Sequence, residues 1–391
     1  MSASTLLWLI AGCMMLQPLS TDLYLPSLPH IAGYFAATPA AVQQTLTMFV
    51  VGFGTAQLLG GPLSDRYGRR PVLLAGLATY LGASIACSLA PTLPLLVFGR
   101  FVQACGCCVA VVVARAIVRD VYAPAQGARA IAKASTMLAV VPMFGALVGG
   151  YLQVSLGWRS TFGAHALFCA ALAWAAWSKL DETNSNKNPQ ATRVGNLLSA
   201  YALVARNPSF WAYTLPASFS YAAMFAFLAG ASFVLIKAMG VATENYGYCH
   251  ALAVVGYLSG TLVCRRLLGR IGLTRTFGVG TALSLFSAAL FLALVLAGYA
   301  HWSVVVLAMF LTMCAHGVNF PCAQSGSIAP FPGHAGTAAG LMGAINMLAA
   351  WPAGAAVGAS FDGTLLPLAL IGGCASTLAF VSATALARYR G

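Results

Sequence analysis

Two ionisable side chains stand inside long apolar runs of this 391-residue chain: Asp22, in Leu19-Ser20-Thr21-Asp22-Leu23-Tyr24, and Arg100, in Phe98-Gly99-Arg100-Phe101-Val102. A carboxylate or guanidinium at the centre of a bilayer costs on the order of 2.5–3.5 kcal/mol on insertion scales, so such a group faces a cavity or a partner. Asp22 is suited to taking up and releasing a proton on a transport path. Its bland alternative is a carboxylate near the outer mouth, held by water, because it lies 17 residues past Thr5, about 25 Å along a helix. For Arg100 the candidate partners are Asp22, Gln103 and backbone carbonyls of the first span; the alternative is an arginine snorkelling to the outer face.

A third chemical feature is Gly61-Pro62-Leu63-Ser64-Asp65-Arg66-Tyr67-Gly68-Arg69-Arg70. It reads as a tight turn. Gly68 permits the sharp backbone, Arg66, Arg69 and Arg70 hold the loop at one membrane face, and Asp65 either caps a helix or pairs with an arginine. Other residue types point away from catalysis. Cys105-Gly106-Cys107-Cys108 has only apolar neighbours and no histidine ligand, and an odd eleven cysteines in apolar runs do not make a disulfide framework. His30, His165, His250, His301, His316 and His334 lack ligand spacing, and no phosphate loop, GxSxG or HExxH motif occurs. We expect no metal, no cofactor and no enzymatic activity.

The elements that position these residues follow from composition. The chain is 60% hydrophobic and 7% charged, with mean hydropathy +0.84, whereas soluble domains carry roughly 25% charged residues. A helix crossing the membrane needs about 20 apolar residues. Twelve such runs fall near 5–28, 42–62, 72–90, 94–118, 131–154, 158–178, 209–236, 246–267, 276–298, 302–324, 337–359 and 364–387. Thr38-Pro39, Ala90-Pro91, Ala123-Pro124, Asn207-Pro208 and Phe331-Pro332-Gly333 mark breaks between them. Ile10-Ala11-Gly12-Cys13 looks like a lipoprotein cleavage site, but no Lys or Arg precedes it, so a retained first span is the better reading.

The seven carboxylates and twenty Lys and Arg give a net +13. With both termini in the cytoplasm, one face collects Arg66, Arg69, Arg70, Arg115, Arg119, Arg129, Lys133, Lys179, Lys187, Arg193, Arg206, Arg265, Arg266, Arg270, Arg275, Arg388 and Arg390, and the other only Arg159 and Lys237. The basic balance is therefore topology, and a nucleic-acid role is not supported. The polar stretch Lys179–Asn188 divides the chain into residues 1–178, a linker at 179–208 and residues 209–391. Residues 193–206 form an amphipathic helix on the cytoplasmic interface. The halves echo one another: Arg66-Tyr67-Gly68 recurs 204 residues later as Arg270-Ile271-Gly272, without the acid. Internal repeats of this kind build secondary transporters with the substrate site between the halves.

The Gly61–Arg70 loop resembles the signature loop after span two of the major facilitator superfamily. Three more segments narrow the resemblance to the Bcr/CflA drug:proton antiporters: Asp22-Leu23-Tyr24-Leu25-Pro26-Ser27-Leu28-Pro29, Gly99-Arg100-Phe101-Val102-Gln103-Ala104 with Gly106, and Pro142-x-x-Gly145-x-x-x-Gly149-Gly150, where the usual Gly-Pro is Gly145-Ala146. The resemblance covers nearly the whole chain. It implies an all-α integral membrane fold with twelve transmembrane helices in two pseudo-symmetric six-helix bundles. It implies export of bicyclomycin- or phenicol-type small drugs by alternating access, driven by the proton gradient, in a bacterial inner membrane. It further implies a cytoplasmic gate of Gly61, Asp65, Arg66, Gly68, Arg69 and Arg70, a proton-transfer role for Asp22 and Arg100, and a leak-preventing role for Pro142, Gly145, Gly149 and Gly150. From residue type alone those glycines permit close helix approach. Tyr24, Gln103, Tyr221, Met224, Phe225, Asn319 and Asn346 are candidate cavity-lining residues, with ordinary packing as the alternative. The expected partners are a small-molecule drug, protons and the lipid bilayer, with a monomer sufficient. A proton symporter importing a nutrient would share these features; an integral-membrane enzyme or a channel would not.

Overall fold

The structure, a computed structural model, describes residues 3–122 and 124–390. The side chains of Arg129 and Lys133 and the Ala123 half of the Ala123-Pro124 break lie outside the described residues. Thirteen α-helices follow in order: α1 Ala3–Asp22, α2 Leu28–Tyr34, α3 Pro39–Tyr67, α4 Arg69–Ser88, α5 Leu93–Val121, α6 Pro124–Leu156, α7 Arg159–Lys179, α8 Val194–Ala205, α9 Pro208–Ser232, α10 Tyr246–Leu296, α11 Trp302–Ile328, α12 Ala335–Ala359 and α13 Leu366–Ala385. No strand occurs among the described residues. Among them, nine helices are long and apolar enough to cross a membrane.

Helix starts follow local chemistry. The Thr38 hydroxyl accepts a hydrogen bond from the Ala41 amide (3.3 Å) ahead of Pro39 at the first position of α3, and the Asn207 side chain accepts from the Ser209 amide (2.9 Å) ahead of Pro208 in α9. Proline at that position sacrifices no helical hydrogen bond.

The first crossing differs from the sequence expectation. It runs from Thr5 to Tyr34 rather than stopping near residue 28, and it breaks after Asp22. The carbonyls of Asp22 and Leu25 would each be bonded by the amide four residues on, which are Pro26 and Pro29 and have none. A short 3₁₀ turn, Leu25–Ser27, bridges the gap. Asp22 therefore lies deep in the crossing, at a break in its helix.

The eighth and ninth crossings part where the sequence places a gap, at 268–275: α10 is two helices divided by a kink at Gly272, whose φ of 76° turns the chain. Gly68, its counterpart 204 residues earlier, separates α3 from α4 with φ of 106°. Both positions need a residue without a Cβ. The echo in sequence thus marks one turn used twice.

α1 and α3–α7 pack together, as do α9–α13, and the two groups meet where α3 lies against α12 and α6 against α10. The α3–α12 seam is close because α12 presents glycines: Gly343 against Gln57, Gly354 against Thr47 and Phe225, and Gly358 against Gln43. The Gln43 amide also donates to the Ala229 carbonyl of α9 (2.9 Å). α8 carries exposed Val194, Leu198 and Leu203 beside buried Val204, and its Tyr201 hydroxyl donates to the Leu58 carbonyl (2.7 Å). This is the amphipathic pattern of a helix lying along an interface.

Candidate functional site

Arg100 projects from α5 into a closed polar box and is fully buried. Its guanidinium donates to Gln103 Oε1 (2.6 Å) and to the Ser20 carbonyl (3.0 Å), with the Thr45 carbonyl at 3.4 Å. Three rings surround it, with centroids at 4.3 Å (Phe49), 4.7 Å (Tyr24) and 5.7 Å (Phe162). The box extends outward: Gln103 donates to the Ser84 hydroxyl (2.7 Å), Tyr80 and Ser20 share a hydroxyl contact (2.6 Å), and so do Tyr24 and Thr45 (2.7 Å). A planar fork with several donors suits carbonyls and ring faces together. The break after Asp22 leaves α1 polar backbone in reach of this fork.

The expected pairing of Arg100 with Asp22 is not what the structure contains. Of the three partners expected for Arg100, it uses Gln103 and a carbonyl of the first span. The basic group facing Asp22 is His250 of α10, with Nε2 3.4 Å from Asp22 Oδ1 and both side chains buried. Tyr246 stacks on the His250 ring (centroids 6.2 Å, 19° between planes). Sequence reading missed His250 because the histidines were tested for metal-ligand spacing; its place inside an apolar run is the same signal that singles out Asp22 and Arg100.

The glycines of α6 explain how α1, α6 and α10 converge here. A Cβ at Gly145 would stand 3.2 Å from the Asp22 Cβ, and one at Gly149 would collide with the Leu23 carbonyl. A Cβ at Gly150 would come within 2.7 Å of the Thr243 carbonyl, and Gly247 of α10 packs on the Leu147 backbone in return. The segment therefore holds α6 against the broken first crossing on one side and against the start of α10 on the other. Pro142 lies one turn away inside the same helix.

The remaining candidates separate into groups. Tyr24 and Gln103 belong to the Arg100 box. Tyr221 and Phe225 stack (6.4 Å, 22°), and Tyr221 also meets His316 (5.7 Å) and the Met347 sulfur (3.4 Å). Met224 is half-buried on the adjoining apolar core. Asn319 donates to the Ser220 hydroxyl (3.1 Å), and Asn346 accepts from the Ser218 hydroxyl (2.6 Å), so both are engaged in α9 contacts.

At the opposite end, the Gly61–Arg70 turn is tied by Arg69, which donates to Asp120 (2.8 Å), Asp65 (2.5 Å) and the Ser64 hydroxyl (2.7 Å). Arg70 reaches the Trp177 carbonyl (2.9 Å), Arg66 contacts Thr192, and Gly61 lies open on α3. Sequence reading missed the linker's part. Glu182 accepts from the Arg69 amide (2.8 Å) and the Arg70 amide (3.3 Å), capping α4 in place of the glycine that precedes it. The Asn188 amide donates to the Asp65 carbonyl (2.9 Å), and the Asn184 side chain to the same oxygen (3.2 Å).

Long apolar helices in two groups that meet at a seam define a multi-pass membrane protein. The chain belongs to the Major Facilitator Superfamily, whose family model matches residues 10–355. It is 34% identical over 259 residues to a chloramphenicol resistance protein of Pseudomonas aeruginosa, a match covering 66% of this chain and 59% of that one. It is 25% identical over 332 residues to a bicyclomycin resistance protein homolog of Haemophilus influenzae, covering 85% and 83%. It is 27% identical over 339 residues to the multidrug resistance protein MdtL of Escherichia coli, covering 84% and 82%. Among solved structures, a bacterial homolog of the human lysosomal transporter Spinster, inward-facing and unoccupied, aligns with TM-score 0.73 at 16% identity over 100% of this chain and 97% of that one. A D-xylose-proton symporter aligns with TM-score 0.74 at 13% identity over 99% and 97%; at these identities the likeness concerns the fold.

Proposed function

We propose that this chain exports small drugs of the chloramphenicol and bicyclomycin type across a bacterial inner membrane, in exchange for protons moving inward. The observation that carries this reading is Asp22, a buried carboxylate at a helix break on the seam between the halves. A charge so placed is costly to keep without a function, and the seam is where alternating access exposes a site first to one side and then to the other. The resistance proteins to which the chain is similar support drugs as the cargo. In this scheme the arginine-rich face is cytoplasmic with both termini, one copy suffices, and the proton gradient supplies the energy. Asp22 binds a proton from the outside, releases it inside, and gives way to drug in between.

The test is expression in a bacterial host lacking its own efflux pumps. Resistance to chloramphenicol or bicyclomycin and outward drug movement in energised cells are expected, both abolished by an uncoupler and by Asp22→Asn. Efflux that survives the uncoupler, or normal export by Asp22→Asn, overturns antiport. Inward, proton-dependent accumulation would instead mark a symporter.

A further inference from the structure

His250 and Asp22 are ionisable groups contributed by different halves, and they meet 3.4 Å apart in a buried setting. Neither ring nitrogen of His250 has a hydrogen-bond partner among the described residues, Nε2 standing 3.4 Å from Asp22 Oδ1, and neither has the Tyr246 hydroxyl beside it. Beside the Asp22 carboxyl on its own helix lies the Thr21 hydroxyl. α6 contributes the Gly145 backbone face to Asp22. On α9, Tyr221 meets His316 of α11 at a tilt (centroids 5.7 Å, 52° between planes). His30 is held at 2.9 Å by the Thr243 hydroxyl, and Arg100 is committed to Gln103 and the Ser20 carbonyl.

We propose that Asp22 and His250 form a single proton-binding site shared across the two halves, with His250 as its second proton carrier. The chemistry is a transfer within the pair: the proton on the Asp22 carboxyl passes to Nε2, giving carboxylate and imidazolium, and returns by the reverse step. With one proton the pair is neutral in sum. With none it leaves a buried negative charge, and with two a buried positive one, each costly away from water. Closure of α1 and α6 against α10 at this end therefore selects the singly protonated pair. Separation of the halves pulls the two groups apart and lets each exchange its proton with water. His250 thereby links proton occupancy to the movement of the halves, which Asp22 alone, attached to one half, does not do.

This inference rests on the antiport reading above, and the experiment separates the two. The full chain is reconstituted in phospholipid vesicles with an internal pH dye, with chloramphenicol as the probe. Two quantities are measured over a pH series: drug movement coupled to an imposed pH gradient, and drug counterflow without a gradient. Counterflow needs the binding site and alternating access but no net proton movement. In wild type both are expected, with coupled transport lost in Asp22→Asn. His250→Gln is expected to lower coupled transport by about tenfold or more and flatten its pH profile, with counterflow kept within about twofold. If wild type shows no drug–proton exchange, or Asp22→Asn retains it, the antiport reading fails. If wild type and Asp22→Asn behave as expected but His250→Gln keeps wild-type coupling and pH profile, Asp22 works alone and this proposal falls. Loss of counterflow in both His250→Gln and His250→Asn makes His250 a packing residue, which overturns it equally.

Discussion

Arg100 and Asp22 are both buried charges within the same six-helix half, and the structure treats them in opposite ways. Arg100 has hydrogen bonds, three aromatic faces and a second ring of hydroxyls, all from the first crossing and from α3, α4, α5 and α7 of its own half. Asp22 has, among the described residues, one ion-pair partner, His250 at 3.4 Å, and it comes from the other half. A charge satisfied from within one rigid body stays satisfied when the two bodies move. A charge satisfied across the seam does not. The first arrangement suits holding α1 to α5; the second suits sensing whether the halves are together.

That contrast is broken most sharply by neutralising each charge in turn. Asp22→Asn is expected to reduce drug–proton exchange to background while the thermal unfolding of the detergent-purified protein stays within about 1 kcal/mol of wild type, since removing a buried charge relieves desolvation as well as an ion pair. Arg100→Ala is expected to insert but to lose about 3 kcal/mol, because Gln103 Oε1 and the Ser20 carbonyl are stranded in a dry box at roughly 1–3 kcal/mol each. Arg100→Lys regains only part of this, as an ammonium cannot reach both acceptors and stack on the rings. Unfolding curves that rank Asp22→Asn below Arg100→Ala would reverse the assignment of roles.

The glycines of α6 sharpen the comparison next. Gly149→Ala must displace the Leu23 carbonyl, while Gly145→Ala meets the Asp22 Cβ at a tight 3.2 Å that a small shift relieves. We expect Gly149→Ala to cost about 1–3 kcal/mol and most transport, and Gly145→Ala to cost less of both. Equal effects in paired melting and transport assays would mean that α6 does not bear on the break in the first crossing.

Much of this was legible in the chain itself. Crossing helices, the basic face and the turn at Gly68 follow from apolar length, arginine placement and a residue without a Cβ. The Gly68–Gly272 echo was visible too, and Arg265–Arg275, which reads as a turn by charge, contains the kink at Gly272 that divides α10 in two. Two things could not be read from spacing. His250 lies 228 residues from Asp22 and Glu182 lies 113 residues from Arg69; which buried group meets which depends on helices packing in three dimensions. The pairing of Arg100 failed for the same reason: charge complementarity names Asp22, whereas the break after Asp22 leaves the Ser20 carbonyl free for the guanidinium, since the Tyr24 amide bonds Thr21 instead.

The smallest expected effect concerns the linker. In the half that carries Asp65, the turn at Gly68 is capped by a carboxylate from outside the helix, Glu182, whose two oxygens accept from the Arg69 and Arg70 amides. A carboxylate there satisfies free amides at a helix N-terminus and complements its dipole. Glu182→Ala removes both contributions, and about 1 kcal/mol is expected from loss of such a cap. Glu182→Gln keeps an acceptor and loses the charge, so it falls between. Because the same strap bonds the Asp65 carbonyl through Asn188 and Asn184, uncapping also frees the Lys179–Arg193 segment. Limited proteolysis of the purified protein reads this directly: faster cleavage at Lys187 in Glu182→Ala than in wild type is expected, with coupling at Asp22 unchanged. Equal cleavage rates would show that the strap is held by its asparagines alone.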